Sequence, residues 1–118
     1  MHKEVLNETK QKAKEGDAEA QYDLARAFLY NKNMGEGLSY LTKAADQGHV
    51  DAQFHLARIY EGGMYNYEEA VKWYVKAAEQ GHIRAQTNLA QMYHKGNGVT
   101  QNCKEAFKWF GRAANNEK

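Results

Sequence analysis

The chain of 118 residues contains no proline and a single cysteine, Cys103. About 5% proline is usual in proteins, so roughly six prolines would be expected at this length. Their absence excludes proline kinks, cis-proline turns and proline-rich linkers. One cysteine cannot form an intramolecular disulfide, so the composition gives no support for an oxidising compartment.

The sequence also lacks an excess of charge and a long apolar run. Its net charge is +1, and the basic residues are spread along the chain among the acidic ones. A nucleic-acid or anionic-membrane partner would require a concentrated basic face, so neither is predicted. No stretch approaches the 18 apolar residues of a membrane span, and the polar N-terminus lacks a signal-peptide core. We therefore expect a cytoplasmic protein, or a secreted or periplasmic one if a signal peptide has been removed.

Alanine is abundant, with 17 occurrences in the chain. Because alanine is the best helix former and proline the worst, the composition favours helices. The hydrophobic share of 42% and the charged share of 26% are typical of a folded domain rather than a disordered chain.

An internal repeat organises most of the sequence. The segment 16–25 recurs at 48–57 and at 81–90, each copy beginning with glycine, carrying Ala-Gln in the middle and ending in Leu-Ala. The offsets are 32 and 33 residues. Downstream of each copy, an aromatic residue is followed four and five positions later by an alanine pair. Self-similarity at this period is the signature of stacked structural repeats.

Each repeat contains the apolar stripes of two helices. In the second repeat, Leu56 and Tyr60 belong to the first stripe, which we predict to end at Gly62-Gly63. The second stripe comprises Ala70, Trp73, Tyr74, Ala77 and Ala78. Residues 1–15 predict one further helix that caps the stack. The prediction is one all-α solenoid domain of seven helices, composed of the cap and three repeats at 16–47, 48–80 and 81–118.

The third repeat carries the most complete motif: Ala85, Leu89-Ala90, Gly96-Asn97-Gly98-Val99, Ala106, Trp109 and Ala113-Ala114. This pattern resembles the Sel-one-like repeat (SLR) family, relatives of the tetratricopeptide repeats, over residues 16–118. The first repeat departs from it, with Tyr40 in place of tryptophan and Gly37 in place of alanine.

The resemblance implies a right-handed superhelical solenoid of antiparallel helix pairs with a concave groove. It also implies a non-enzymatic protein–protein interaction module, an adaptor or scaffold that holds a protein or peptide partner in that groove. The cysteine pairs that staple secreted cysteine-rich members are absent here.

No catalytic site, metal site or cofactor is predicted. The five histidines do not cluster as metal ligands do. His94 and Cys103 flank one loop, but no acid or oxyanion donor completes a catalytic set. The loop Gly96-Asn97-Gly98 lacks the Lys-Ser/Thr ending of a phosphate-binding loop.

The candidate partner-binding residues lie on the first helix of each repeat. Tyr22 and Phe54 occupy equivalent positions, and Arg26 and Arg58 follow four residues later on the same helix face. Two interpretations remain open. These residues anchor a partner, with the arginines suited to carboxylates, or the aromatic rings pack between helices and the arginines pair with nearby acids such as Asp23 or Glu19.

The third repeat and the C-terminal helix supply the remaining candidates. We call the first helix of each repeat its first-type helix and the second its second-type helix. Thr87 and Gln91 occupy the corresponding positions of the first-type helix in the third repeat. Phe107 and Phe110 are expected to be exposed for an end-on contact, because no later helix in this sequence covers them. A homodimer through this end is one possibility, and a downstream segment is another.

Three functions in two classes are therefore considered. The first is a binding module for one protein or peptide. Within that class, a more specific alternative is a small bacterial immunity or inhibitor protein that neutralises a toxin. The alternative from another class is a hydrolase acting on cell-wall fragments or beta-lactams, for which the sequence offers neither paired carboxylates nor a triad.

Overall fold

The computed structural model describes residues 3–116, and all regular secondary structure in that range is helical. None of the helices in this range is both long and apolar enough to cross a membrane. The helices are α1 (Lys3–Lys14), α2 (Ala18–Tyr30), α3 (Met34–Asp46), α4 (Val50–Arg58), α5 (Tyr67–Glu79), α6 (Ile83–Lys95) and α7 (Cys103–Asn116), with a π-helical turn at Ile59–Gly63.

The chain forms two compact units, and the boundary in the sequence falls between Gln53 and Phe54. In the N-terminal unit, α2 packs against both α1 and α3. In the C-terminal unit, α6 packs against both α5 and α7. The order of helices within each unit is that of a helical repeat, in which each element contacts its neighbours along the chain.

The predicted apolar stripes supply the buried side chains. In the N-terminal unit, Ala13, Ala20 and Leu24 form a cluster against which Leu6 and Phe28 pack. In the C-terminal unit, the largest fully buried side chains are Leu56, Tyr74, Leu89 and Met92. Trp73 and Trp109 are buried as predicted. Buried alanines lie beside them, and their small side chains permit close helix packing.

A glycine turn follows α1, α3 and α5. Gly16, Gly48 and Gly81 have φ angles of 98°, 91° and 92°. After α3, the amide of Gly48 donates to the Ala45 carbonyl and the amide of His49 to the Ala44 carbonyl. This left-handed conformation favours glycine, because other residues have a Cβ that clashes there. The glycines that open the three repeats are therefore turn residues.

An asparagine begins each second-type helix. The side chain of Asn33 accepts a hydrogen bond from the amide of Glu36 at 3.3 Å, and Asn66 does the same for Glu69 at 3.2 Å. Asn102 caps α7 in the same way. Each bond satisfies an amide in the first turn of a helix that has no partner within the helix.

The first helix of the second repeat ends at Gly63, as predicted, but its last turn is π-helical rather than α-helical. The α-helix ends at Arg58 and continues as the π-helical turn, in which the amide of Met64 donates to the Ile59 carbonyl at 3.1 Å. The phenol of Tyr74 in α5 donates to Glu61 in this turn at 2.6 Å. This hydrogen bond helps to hold the wider turn against α5.

Gly37 in α3 has a packing role. A Cβ at this position would lie 2.6 Å from Cδ2 of Leu29 in α2. The other repeats have Ala70 and Ala106 at the equivalent position. The departure of the first repeat from the family pattern is therefore explained by the close approach of Leu29.

Candidate partner-binding surface

Two histidines cap first-type helices. Nδ1 of His49 accepts a hydrogen bond from the amide of Ala52, and Nδ1 of His82 accepts one from the amide of Ala85, both at 3.1 Å. Asp17 plays the same part at the start of α2. Because Nδ1 is the acceptor, the proton of the neutral ring lies on Nε2.

Tyr22 packs on the first of these histidines in the N-terminal unit. The ring centroids of Tyr22 and His49 are 4.6 Å apart, and the guanidinium carbon of Arg26 lies 5.7 Å from the Tyr22 centroid. Nε2 of His49 is 2.6 Å from Glu19 Oε2. Burial raises the pKa of Tyr22 above its usual value, although the charge of Arg26 opposes the shift. Burial also raises the pKa of the neighbouring Asp23, with the negative charge of Glu19 adding to the effect.

Phe54 has the equivalent arrangement in the C-terminal unit, but it is more deeply buried. Its ring stacks on His82 with centroids 4.3 Å apart, contacts Tyr74 and is only 8% exposed. Two guanidinium groups lie near this ring, that of Arg58 at 6.0 Å and that of Arg84 at 5.1 Å from the centroid. The accessible part of this cluster is therefore the arginines rather than the ring.

These contacts bear on the two interpretations of the aromatic and arginine residues. Phe54 packs against α5 and the start of α6, as the packing interpretation expects. The expected ion pairs of the arginines are not seen. Among the side chains of residues 6–116, neither Arg26 nor Arg58 has a carboxylate oxygen within 4.0 Å. Glu19 instead contacts His49. Both arginines are exposed.

Thr87 and Gln91, the candidates from the third repeat, lie in α6. The Thr87 hydroxyl donates to the carbonyl of Ile83 at 3.2 Å and is half-buried. Gln91 is exposed one turn later. Gln91 therefore offers the more accessible polar group of the two.

Three buried glutamines join α1, α3 and α5 each to the helix that follows it. Each side-chain Nε2 donates to a backbone carbonyl eight residues earlier, near the end of the preceding helix. The pairs are Gln21 with Ala13 at 3.2 Å, Gln53 with Ala45 at 3.1 Å and Gln86 with Ala78 at 3.0 Å. In the sequence, these glutamines are visible only as positions that align the three repeats. A polar residue at the same place in all three was the signal of this role.

Helix α7 exposes an apolar face. Phe107 is 75% exposed and Phe110 37% exposed, while Trp109 on the opposite side is buried. Gly111 and Ala114 are also exposed. We call Phe107, Phe110, Gly111 and Ala114 the α7 face. The predicted exposure of the two phenylalanines is confirmed, whereas their part in an end-on contact stays a prediction.

The described range holds no group of three His, Cys, Asp or Glu side chains arranged as metal ligands. Cys103 is exposed at the start of α7. The backbone carbonyl of His94, across the loop, accepts a hydrogen bond from the side chain of Gln101. The structure therefore does not strengthen the interpretation of His94 and Cys103 as a catalytic pair.

The three repeats match a known family model. The model of the Sel1 repeat matches residues 18–49, 50–82 and 83–117. Each match begins two residues after the glycine that opens the repeat in our alignment. A comparison with curated proteins gave no match.

Solved structures include similar proteins from bacteria. One is c5321, a protective antigen of uropathogenic Escherichia coli strains with an SLR fold, at 38% identity and a TM-score of 0.88. The match covers 96% of this chain but 26% of that one, so this chain spans about a quarter of its length. A Sel1 repeat protein from Oxalobacter formigenes is 33% identical, with a TM-score of 0.85 and coverage of 92% and 88%.

A third structure shares the fold at lower identity. The Helicobacter pylori cysteine rich protein B is 22% identical, with a TM-score of 0.74 and coverage of 100% and 92%. The all-α repeat fold is thus confirmed. Sel1 repeat proteins are generally protein–protein interaction modules, and their fold is typically a non-catalytic scaffold. With all three repeats matched by the family model, this chain belongs to the Sel1 repeat family.

Proposed function

We propose that the chain binds a protein or peptide partner through exposed residues of its first-type helices. This proposal rests on the positions and contacts of Arg26 and Arg58. Each lies at the same position of its repeat and near an aromatic ring, and neither has a carboxylate within 4.0 Å among the side chains of residues 6–116. An arginine held in this way loses less side-chain freedom on binding, and its planar guanidinium suits a carboxylate.

The neighbouring residues contribute unequally. The half-buried ring of Tyr22 offers some contact area, whereas Phe54 mainly supports Arg58 from below the surface. Gln91 and, to a lesser extent, Thr87 add polar contacts from α6. The partner we expect is therefore a protein segment that carries carboxylates.

The test begins with identification of the partner by affinity capture and mass spectrometry. Binding of the purified partner is then measured by calorimetry for the wild type and for a variant with Arg26→Ala and Arg58→Ala. Because arginines at the centre of an interface are frequent energetic hot spots, we expect at least about a tenfold loss of affinity.

Arg112→Ala is the matched control. This arginine also lies near an aromatic ring, 4.6 Å from the centroid of Trp109, but on α7. We expect its affinity to stay within about twofold of the wild type, and thermal unfolding should show that both variants are folded. A double variant that binds the partner as tightly as the wild type would contradict the proposal.

A further inference from the structure

Two arginines lie beside one aromatic ring in the C-terminal unit. The guanidinium carbons of Arg58 and Arg84 are 6.0 Å and 5.1 Å from the centroid of the Phe54 ring. Arg58 is the last residue of α4, whereas Arg84 belongs to the first turn of α6. Both side chains are exposed. Two helices therefore bring two positive charges to one small region of the surface.

Neither guanidinium group forms an ion pair with an acid in the described part of the chain. Among the side chains of residues 6–116, no carboxylate oxygen lies within 4.0 Å of either group. The carboxylate of Glu61, three residues after Arg58, instead accepts a hydrogen bond from the Tyr74 phenol at 2.6 Å. Two positive charges that are close together and unpaired create a positive potential at the surface, which attracts an anion.

The equivalent ring of the N-terminal unit, Tyr22, has different charges around it. Arg26 lies near this ring. Alignment of the repeats places an acid, Asp51, at the position of Arg84. Burial raises the pKa of Tyr22, the charge of Arg26 opposes the shift, and the charge of Asp51 adds to it. Charges of both signs therefore act on Tyr22, so the pair of arginines distinguishes the C-terminal unit and is not part of the repeat pattern.

The charge of the arginine pair and its number of donors indicate which anion fits it. A guanidinium group is a planar fork that can donate two parallel hydrogen bonds to one anion. A carboxylate has two oxygens and one negative charge, which a single arginine already satisfies. A phosphorylated side chain has three terminal oxygens and a charge of about −1.5 to −2 at pH 7. It can therefore accept hydrogen bonds from both arginines and balance both of their charges.

We propose that Arg58 and Arg84 bind one phosphorylated side chain of the partner protein. The two guanidinium groups donate to the phosphoryl oxygens, while the largely buried ring of Phe54 supports both of them. This inference rests on the proposed function, because Arg58 belongs to both, and it names the group that the partner presents to the C-terminal unit. A carboxylate stays the expected group at Arg26, where an aspartate takes the place of the second arginine.

The chain contains four arginines, so four side-chain Nε–Hε signals report on the site and its surroundings by NMR. The probe is an acetylated and amidated pentapeptide with one phosphoserine among alanines. It is titrated into the 15N-labelled full chain at pH 7 and about 20 mM salt, where screening is weak. We expect saturable shifts of the Arg58 and Arg84 signals, with a dissociation constant below about 5 mM. The signals of Arg26 and Arg112 should stay unchanged.

A matched pair of variants tests the second arginine. Arg84→Gln removes one charged fork and should weaken binding of the phosphopeptide about tenfold, whereas Arg26→Gln should leave it within about twofold of the wild type. Both positions are exposed, and thermal unfolding should show that both variants are folded. The natural partner, once captured, tests the source of the phosphoryl group. Phosphatase treatment of the partner should weaken its binding to the wild type but not to Arg84→Gln.

Several results would overturn the proposal. One is the absence of saturable shifts, and another is equal binding of the phosphopeptide by Arg84→Gln. Equal binding of a peptide with aspartate in place of phosphoserine would show that the pair takes carboxylates. A partner that binds equally before and after phosphatase treatment would exclude a phosphorylated segment. Failure of the proposed function is a separate result, because it is measured as unchanged partner affinity in the variant with Arg26→Ala and Arg58→Ala.

Discussion

The N-terminal and C-terminal units build the same contact in surroundings of opposite charge. In each, a histidine that caps a helix packs on an aromatic ring, Tyr22 in one and Phe54 in the other. The sequence up to Gln53 has seven basic and nine acidic residues, for a net charge of −2. The sequence from Phe54 on has nine and six, for a net charge of +3. The histidine–aromatic contact therefore belongs to the repeated framework of the fold, whereas the net charge differs between the two units.

The equivalent core positions differ too. Leu41 of α3 is fully buried without polar atoms in its side chain. Tyr74 of α5 is equally buried but brings a hydroxyl, which donates to Glu61 and accepts from Asn88. A buried hydroxyl requires such partners. The C-terminal unit therefore holds its π-helical turn through a polar contact at the position where the N-terminal unit packs a leucine.

The largest loss of stability should come from truncation of Leu41. Leu41→Ala deletes a fully buried side chain, and such changes cost about 2–5 kcal/mol of the free energy of unfolding. Phe110→Ala removes a larger side chain from the equivalent position of α7, but this side chain is 37% exposed. Urea unfolding should show a loss of at most about half that of Leu41→Ala. Equal losses would mean that Phe110 is covered in solution.

The next effect concerns Gly37, whose equivalent in the C-terminal unit is Ala70. Gly37→Ala should destabilise by about 1–3 kcal/mol, because the new Cβ would overlap Leu29. In a Leu29→Ala background, the cost of the same change should fall, because the overlap with the leucine side chain is removed and only the contact with the backbone nitrogen of residue 29 at 3.3 Å stays. Thermal unfolding of the wild type, the two single variants and the double variant gives the coupling energy between positions 29 and 37. Additive effects would show that Leu29 does not restrict this position.

The glycine turns, the apolar stripes and the buried tryptophans could be predicted, because each follows from local spacing that the repeat displays three times. The asparagine caps were predictable as well, since asparagine precedes glutamate by three residues at Asn33, Asn66 and Asn102. The π-helical turn was not predictable, because Gly62-Gly63 also fits an ordinary helix end. The wider hydrogen-bonding register depends on tertiary contacts such as that of Glu61 with Tyr74.

The candidate site was less predictable than the fold. The helical period places Phe54 and Arg58 on one face, but it does not tell how far a neighbouring helix covers that face. Phe54 is buried because His82 stacks on it from the start of another helix. Arg84 joins the same ring from α6. Both contacts depend on helix packing that the spacing within one repeat cannot determine.

Alkaline pH should reveal in the free energy of unfolding that Tyr74 carries a hydroxyl that titrates, whereas Leu41 at the equivalent position does not. Burial, together with the hydrogen bond to Glu61, raises the pKa of Tyr74 above the ordinary value of 10.0. Above about pH 10 the unfolded chain loses this proton first, so stability falls with rising pH by up to about 1.4 kcal/mol per pH unit. Tyr74→Phe should show a shallower fall in urea unfolding between pH 9 and 11. An identical slope would mean that Tyr74 is accessible to solvent.

A smaller effect is expected from the cap of α6, which is His82 where α2 has Asp17. His82→Ala removes both the cap of α6 and the stacking on Phe54, and a lost cap costs about 1 kcal/mol. His82→Asp introduces the residue type that caps α2, Asp17, so it should retain the cap while losing the stacking on Phe54. Chemical unfolding should therefore rank His82→Asp between His82→Ala and the wild type. If the two variants are equally stable, capping is not the role of His82.

The smallest effect concerns the acidic surroundings of Tyr22. Burial and the charge of Glu19 raise the pKa of Asp23, so its ionised carboxylate opposes folding at neutral pH. Asp23→Asn should stabilise the protein at pH 7 by at most about 0.5 kcal/mol, because the side chain is partly exposed. The gain should disappear as the pH falls below about 4, where Asp23 is protonated in both states. Thermal unfolding at pH 7 and pH 3 measures the difference. A loss of stability at pH 7 would show that the Asp23 carboxylate makes a favourable contact, and that the acidic groups of the N-terminal unit support its fold.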